Sequence, residues 1–202
     1  SDTEEKLGTA MKSIGECMAI GRNFKESFQK AVRSLEIGLD GLNSTKDLKN
    51  KKKPELLNLL KKNLPNKFLV IAESFRKNIP IQNIVKNTKY DYWFVREICE
   101  IVDAEEKLKN KINDEIYLQS KSIGFSDDRI RSLSKLSERS LYNLKKKYNF
   151  RTKFKLIDTC SGEFKSSTHY MYATWKSNKL NHHFESETDV TKKKKVIILG
   201  GG

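Results

Sequence analysis

TKYDYWFVREICEIVDAEEKLKNKI, residues 88–112, is the longest stretch of the chain whose apolar residues keep a helical period. Phe94, Ile98, Ile101, Leu108 and Ile112 recur at steps of three, four and seven, and Val95, Cys99 and Val102 widen the stripe beside them. The spacing predicts a helix of about six turns, buried along a broad face. Thr88 followed three residues later by Asp91 resembles a capping box with Asp in place of Glu, which places the start at Thr88. Tyr92 and Trp93 put large rings in the first turns, where they can anchor neighbouring helices. No catalytic group stands out on this stretch, and it reads as a core helix around which the rest is arranged.

Working outward, the same period recurs in shorter pieces. Pro54 at a first helical position opens residues 54–63, and Leu56, Leu57, Leu59, Leu60 and Leu64 make that segment apolar on one side until Pro65 breaks it. Helices are expected over 67–77 and, after Pro80, over 81–87. Beyond the central stretch the pattern gives 114–123, 126–135 and 137–148, with Ser126 and Ser137 as N-caps and Gly124 as a C-cap. Residues 54–149 therefore read as a compact bundle of six or seven helices with short connections, and the fold class as mainly α.

The flanks differ. Asn23 is a good N-cap for a helix placing Phe24, Phe28, Ala31, Val32 and Leu35 on one face and stopping near Gly38. Residues 43–53 are polar and lysine-dense, the composition of an exposed connector and a domain boundary. Residues 11–22 (MKSIGECMAIGR) look more like strand and turn than helix. After the bundle the period changes: 153–159 (KFKLIDT) alternates, and 168–175 (THYMYATW) is rich in β-formers. Residues 182–195 read as a surface linker, and 196–199 as a buried strand running into the turn Gly200, Gly201, Gly202. A start at Ser1 and an end on three glycines are expected of a piece of a larger protein.

Composition limits the partners. Of 202 residues, 37% are hydrophobic and 33% charged, which fits a soluble helical protein and argues against wholesale disorder. The apolar runs at 68–72 and 196–199 are far too short to span a bilayer, so no membrane partner is expected. A net charge of +14 raises the alternative of a basic helical nucleic-acid-binding module. Yet 32 of the 40 basic residues are lysines scattered along the chain, without the clustered arginines and stacking aromatics of a grooved site, and no nucleic acid is expected. Three well-separated cysteines, Cys17, Cys99 and Cys160, fit a reducing cytoplasm.

Candidate chemistry is sparse. Cys160, His169, His182 and His183 match no zinc spacing, so no metal site is expected. Cys160 near His169 lacks a third group or an oxyanion loop, leaving no catalytic residue. Gly200, Gly201 and Gly202 begin a turn of the kind that approaches a phosphate, but without the helix that should follow, no complete nucleotide site is formed. Glu16, between Gly15 and Cys17, is the one carboxylate whose apolar neighbours point to burial, although the plain reading is a solvated glutamate.

Several stretches, taken in order, resemble the middle of the large chain of carbamoyl phosphate synthetase. MKSIGECMAIGR (11–22) followed by FKESFQKAVRSLE (24–36) is similar to the end of the first ATP-grasp half. YWFVREI (92–98), GFSDDRIRSL (124–133), IDTCSGEF (157–164) and THYMYAT (168–174) are similar to the oligomerisation domain, and VIILGGG (196–202) to the first strand and glycine turn of the second half. The departures are Ala10, where a polar residue such as Gln is expected, and the lysines of 43–53. The resemblance implies domains at 1–40 (end of the carboxyphosphate synthetic domain), 41–186 (helical oligomerisation domain) and 187–202 (start of the carbamoyl phosphate synthetic domain). It implies a parent that makes carbamoyl phosphate from bicarbonate, glutamine-derived ammonia and two ATP, with Mg2+ or Mn2+ and K+, for arginine and pyrimidine synthesis. The implied partners are the remainder of the large chain, a small glutamine amidotransferase subunit and further copies through the helical domain. This segment would be inert alone and hold no cofactor. Glu16 falls where the family places a glutamate lining the interior passage for carbamate.

Overall fold

The computed structural model describes residues 9, 16–110, 112–164, 170–176, 185–188, 191–194 and 196. Among these the chain forms nine helices and one two-stranded sheet: α1 Phe24–Ser34, α2 Lys46–Asn50, α3 Lys53–Lys61, α4 Lys67–Arg76, α5 Ile81–Thr88, α6 Tyr92–Asn110, α7 Asp114–Ser122, α8 Asp127–Ser134, α9 Glu138–Lys147, β1 Arg151–Leu156 and β2 Met171–Lys176. The mainly α reading holds, with extended pieces outside the bundle.

The central helix is α6, which packs against α1, α4, α5, α7 and α8. Its inner stripe is Val95, Ile98, Cys99, Ile101, Val102 and Leu108, all buried in one core with Leu56, Leu60, Leu69, Ile71, Ala72 and Ile84 of α3, α4 and α5. Each such side chain contributes about 1.5–3 kcal/mol by leaving water. Two details depart from the expected helix. It begins at Tyr92 and not Thr88, because Thr88 belongs to α5, where its hydroxyl donates to the Ile84 carbonyl (2.9 Å) and Lys89 ends the helix in the left-handed region. The start is instead held by Asp91, whose carboxylate accepts from the Trp93 amide (2.8 Å). Phe94 also leaves the stripe: it sits in the first turn, beyond the bundle, and is 47% exposed.

The caps on the other helices follow the sequence. Asn23, Ser126 and Ser137 accept from the amides of Glu26, Arg129 and Ser140. Gly124 (φ +94°) closes α7, its amide donating to the Lys121 carbonyl and that of Phe125 to Ser120, a Schellman arrangement. Helix α1 stops at Ser34, short of Gly38, since Glu36 already adopts a left-handed φ. The lysine-rich segment 43–53 is more than a connector: it contains α2, and Leu48 on α2 is buried in the core. Residues 16–22 carry no strand; residues 11–15 lie outside the described residues.

Strands β1 and β2 pair antiparallel, Arg151 opposite Lys176 through Leu156 opposite Met171. Residues 157–159 fall beyond the strand, and 168–169 outside the described residues. Along the other edge of β1 the Glu187 amide donates to Phe154 O (2.9 Å) and the Glu187 carboxylate accepts from the Leu156 amide (2.6 Å), so part of the expected linker lies against the sheet. Val196 is exposed and outside any strand; the rest of 196–202, including Gly200, Gly201 and Gly202, is outside the described residues.

Candidate assembly face and buried junction

Helix α1 presents two different faces. On one, Phe24 meets Trp93 (5.2 Å between ring centroids) and Phe94 (5.4 Å) edge-on, and stacks on Phe28 (5.3 Å), which meets Phe68 (5.9 Å). Trp93 is 42% exposed, and Tyr90 and Tyr92 beside it are exposed as well. Phe68 leads on into a groove of about 610 Å³ lined by Leu35, Ile37, Leu59, Leu64 and Pro65. Half-buried Phe24, Phe28 and Phe68 thus link the exposed rings at the start of α6 to this groove, whose lining also includes Asp47, Lys51 and Asn66; exposed rings gathered in this way mark an interaction surface. Beside it, Lys25 bridges Glu97 (2.9 Å) and Glu100 (2.7 Å), and Arg96 reaches the same two carboxylates. The rim is therefore locally balanced in a chain that carries +14 overall.

The other face of α1 enters a polar junction. Glu26 is 1% exposed, although Lys25 and Ser27 beside it are polar. Its carboxylate accepts from the Arg22 amide (3.0 Å), the Thr174 hydroxyl (2.9 Å) and Lys30 Nζ (2.9 Å). Burial alone would raise its pKa; the Arg22 amide, Lys30 and Thr174 outweigh burial and hold it below the ordinary carboxylate value. Three more α1 side chains satisfy the end of α7: Asn23 donates to Ser122 O (3.1 Å), Gln29 to Ile123 O (2.7 Å) and Arg33 to Gly124 O (3.0 Å). A helix C-terminus leaves such carbonyls without intrahelical partners, and here a neighbouring helix supplies the donors.

Two further clusters ring the bundle. Glu105, 1% exposed on α6, takes Arg76 Nη2 on one oxygen (2.6 Å) and Arg129 Nη2 on the other (2.6 Å). Both arginines also donate to Leu42 O, Arg129 pairs with Asp40 (3.2 Å), and Arg76 with Glu73, which accepts from the Ser44 hydroxyl (2.6 Å). Lys121, fully buried, donates to Asp127 (2.9 Å) and Phe125 O (3.1 Å) and lies 4.0 Å from the centroid of the Trp175 ring. Asp127 also accepts from Lys145 (2.7 Å). Burial would raise the Asp127 pKa, but the two lysines hold it below the usual range.

The sequence-derived candidates are dispersed. Glu16 is exposed, in a described stretch (16–22) without helix or strand. Cys17 is exposed, Cys99 is buried in the α6 stripe with its thiol pushed up to about 12 by burial, and Cys160 lies in the turn after β1. His169, His182 and His183 lie outside the described residues. Among the described residues no cluster of His, Cys, Asp and Glu has the makings of a metal site, and no helix is long and apolar enough to cross a membrane. The buried carboxylates Glu26 and Glu105 were not found from sequence: Thr174 lies 148 residues from Glu26, and Arg76 and Arg129 lie 29 and 24 residues from Glu105, where no local spacing records them, while Lys30, four residues after Glu26, marks only an ordinary helical pair.

Comparison with known proteins matches the chain, over residues 16–149, to the family described as carbamoyl-phosphate synthetase large chain, oligomerisation domain. The chain is 38% identical to the carbamoyl phosphate synthase large chain of Thermoanaerobacter sp. over 203 residues, covering 99% of this chain and 18% of that relative. Against the large chain of Vibrio cholerae it is 37% identical over 206 residues, and against that of Ralstonia nicotianae 36% over 203, each covering 98% of this chain. In all three cases the chain spans 18% of the relative's length.

Proposed function

Since the chain belongs to the carbamoyl-phosphate synthetase large chain, oligomerisation domain family, we propose that it is the central assembly segment of such a large chain. On this reading the whole enzyme, a cytoplasmic ligase, makes carbamoyl phosphate from bicarbonate, glutamine-derived ammonia and two ATP for arginine and pyrimidine synthesis. On the same reading ATP, Mg2+ or Mn2+ and K+ would be held by parts of the whole enzyme beyond this chain, as would the contact with a small glutamine amidotransferase subunit. The domain division at 1–40, 41–186 and 187–202 belongs to the same proposal. The segment alone is inert.

The observation that carries the assembly role is the exposed aromatic pair Trp93 and Phe94, seated on half-buried Phe24, because burying such rings against a second copy is favourable where the rim charges are balanced. Sedimentation over a concentration series tests it. The native chain should show reversible association that Trp93→Ser and Phe94→Ser weaken; a chain that stays monomeric throughout would contradict the role. Glu16 is proposed as the passage-lining carboxylate of the full-length enzyme, where the first synthetic half would enclose it. Glu16→Lys in that enzyme should spare bicarbonate-dependent ATP hydrolysis and cut carbamoyl phosphate formation. If both fall together the residue is structural.

A further inference from the structure

Residues 20–22 precede the bundle and β2 follows it, yet the two meet directly. Thr174 both donates its hydroxyl to Glu26 and accepts from Arg22 Nε (3.0 Å), and Arg22 Nη2 reaches Trp175 O (3.5 Å). Lys30 spends its three protons on Glu26, Ile20 O (2.9 Å) and Ala173 O (2.5 Å). One acid and two bases thereby hold backbone from both flanks. Glycines make the approach possible: a Cβ on Gly21 would come within 2.8 Å of the Ser27 amide nitrogen, and one on Gly124 within 2.7 Å of Glu26 Cα. Apolar packing does not do the same work. Between the two segments lies an open groove of about 450 Å³, lined by Met18, Ala19 and Ile20 on one side and Met171, Tyr172 and Ala173 on the other.

We propose that Glu26 is a positioning residue that couples the two flanks of the bundle, so that the chain entering it and the chain leaving it move as one unit. This rests on the functional reading above, under which those flanks lead to the two synthetic halves of the large chain. Coupling through Glu26 would then set how one half stands relative to the other while a short-lived intermediate passes between them.

The test uses Glu26→Gln, which replaces one acceptor oxygen by an NH2 group facing donors, and the isosteric Thr174→Val, which removes the hydroxyl that donates to Glu26 and accepts from Arg22 at nearly constant volume. By hydrogen exchange of this chain, amides of 20–22 and 171–176 should both exchange at least about tenfold faster in each variant, with α4 and α6 unchanged. Unchanged flanks, or α4 and α6 loosening in parallel, would overturn the coupling. In the full-length large chain both variants should keep bicarbonate-dependent ATP hydrolysis within about twofold while carbamoyl phosphate formed per ATP falls several-fold. An unchanged ratio would show that the tie plays no part in turnover. A native full-length chain that makes no carbamoyl phosphate would overturn the functional reading instead, leaving exchange to decide the coupling.

Discussion

The interior shared by α3, α4, α5 and α6 and the shell around it are held in different ways. Inside, the helices pack through aliphatic side chains such as Leu56, Leu60, Ile71, Ile84 and Ile101. In the shell, ions hold the segments together, most of them across long stretches of sequence, as from Asp40 to Arg129, Glu105 to Arg76 and Arg129, and Glu26 to Thr174, and one across a single helix junction, Lys121 to Asp127. Apolar contact tolerates many pairings, whereas a buried charge accepts only a partner of opposite sign in the right place. The difference assigns stability mainly to the interior and the placement of α1, the 40–44 loop and β2 mainly to the shell.

The sharpest way to break this division is to remove one shell charge. Glu105→Ala takes from Arg76 and Arg129 the carboxylate they share, leaving them only Glu73 and Asp40 as counter-ions, and should cost about 3–5 kcal/mol in urea unfolding, as much as an interior truncation such as Leu60→Ala, at about 2–5 kcal/mol. The two losses differ in how they are repaired. Replacing Glu105, Arg76 and Arg129 together by leucine or methionine should recover part of the stability, because three desolvated charges vanish together and leave only Glu73, which keeps the Ser44 hydroxyl, and the partly exposed Asp40 without their arginines. If the triple variant stays as unstable as Glu105→Ala, the shell is a source of stability and the division fails.

Next in size is Gly124→Ala, which acts where the shell and the end of α7 touch. Its φ of +94° disfavours any side chain, and the added Cβ would meet Glu26 Cα at 2.7 Å, a contact with backbone that no rotamer relieves. We expect a loss of about 2–3 kcal/mol in denaturant unfolding. Gly38→Ala, with φ +77° but no atom within 4 Å of the added Cβ, should lose only about 1 kcal/mol. Equal losses would mean that the close approach of α1 to Gly124 is dispensable.

How much of this was legible follows the same line. The interior was read correctly because a helix carries its own period: the stripe of α6, the leucines of α3 and the caps Asn23, Ser126 and Ser137 are all local signals. The start of α6 was misplaced because Thr88 fits a cap pattern equally well as the last residue of α5. Leu48 was missed because a single apolar residue among lysines carries no period. The shell was invisible for a stronger reason. Glu16, the one carboxylate with apolar neighbours, is exposed as its plain reading as a solvated glutamate has it, while Glu26 in a polar helix is buried against a threonine 148 residues away.

Acid should loosen the shell before the interior. Glu26 and Asp127 have pKa values lowered in the folded protein, so their contribution is complete above the unfolded-state value and is lost as pH falls through the folded one. Unfolded carboxylates titrate near about 4, which places the loss below that pH. Trp175, against Lys121, reports on the shell, and Trp93→Phe leaves it as the sole tryptophan. Its fluorescence should change in acid ahead of the helical circular dichroism. Coincident curves would show that shell and interior titrate as one.

The smallest effect comes from a matched pair of caps. Asn23 and Asn113 are both exposed, both extended, and accept from the amide three residues on, at 2.9 Å for Asn23 and 2.8 Å for Asn113. As caps alone, each should lose about 1 kcal/mol on replacement by alanine. Asn23 differs in one respect: its amide nitrogen also donates to Ser122 O, tying α1 to the end of α7. Asn23→Ala should therefore cost up to about 1 kcal/mol more than Asn113→Ala, a net hydrogen bond's worth. Asn23→Asp separates the two roles, since the carboxylate keeps the cap but cannot donate to Ser122. If the excess belongs to the α1–α7 tie, Asn23→Asp retains the cap contribution and still loses the excess, and the exchange of Gly124 and Phe125 amides rises in both Asn23 variants but not in Asn113→Ala. An Asn23→Asp chain as stable as the native one, with those amides still protected, would reduce Asn23 to an ordinary helix cap and leave Gln29 and Arg33 to hold the end of α7.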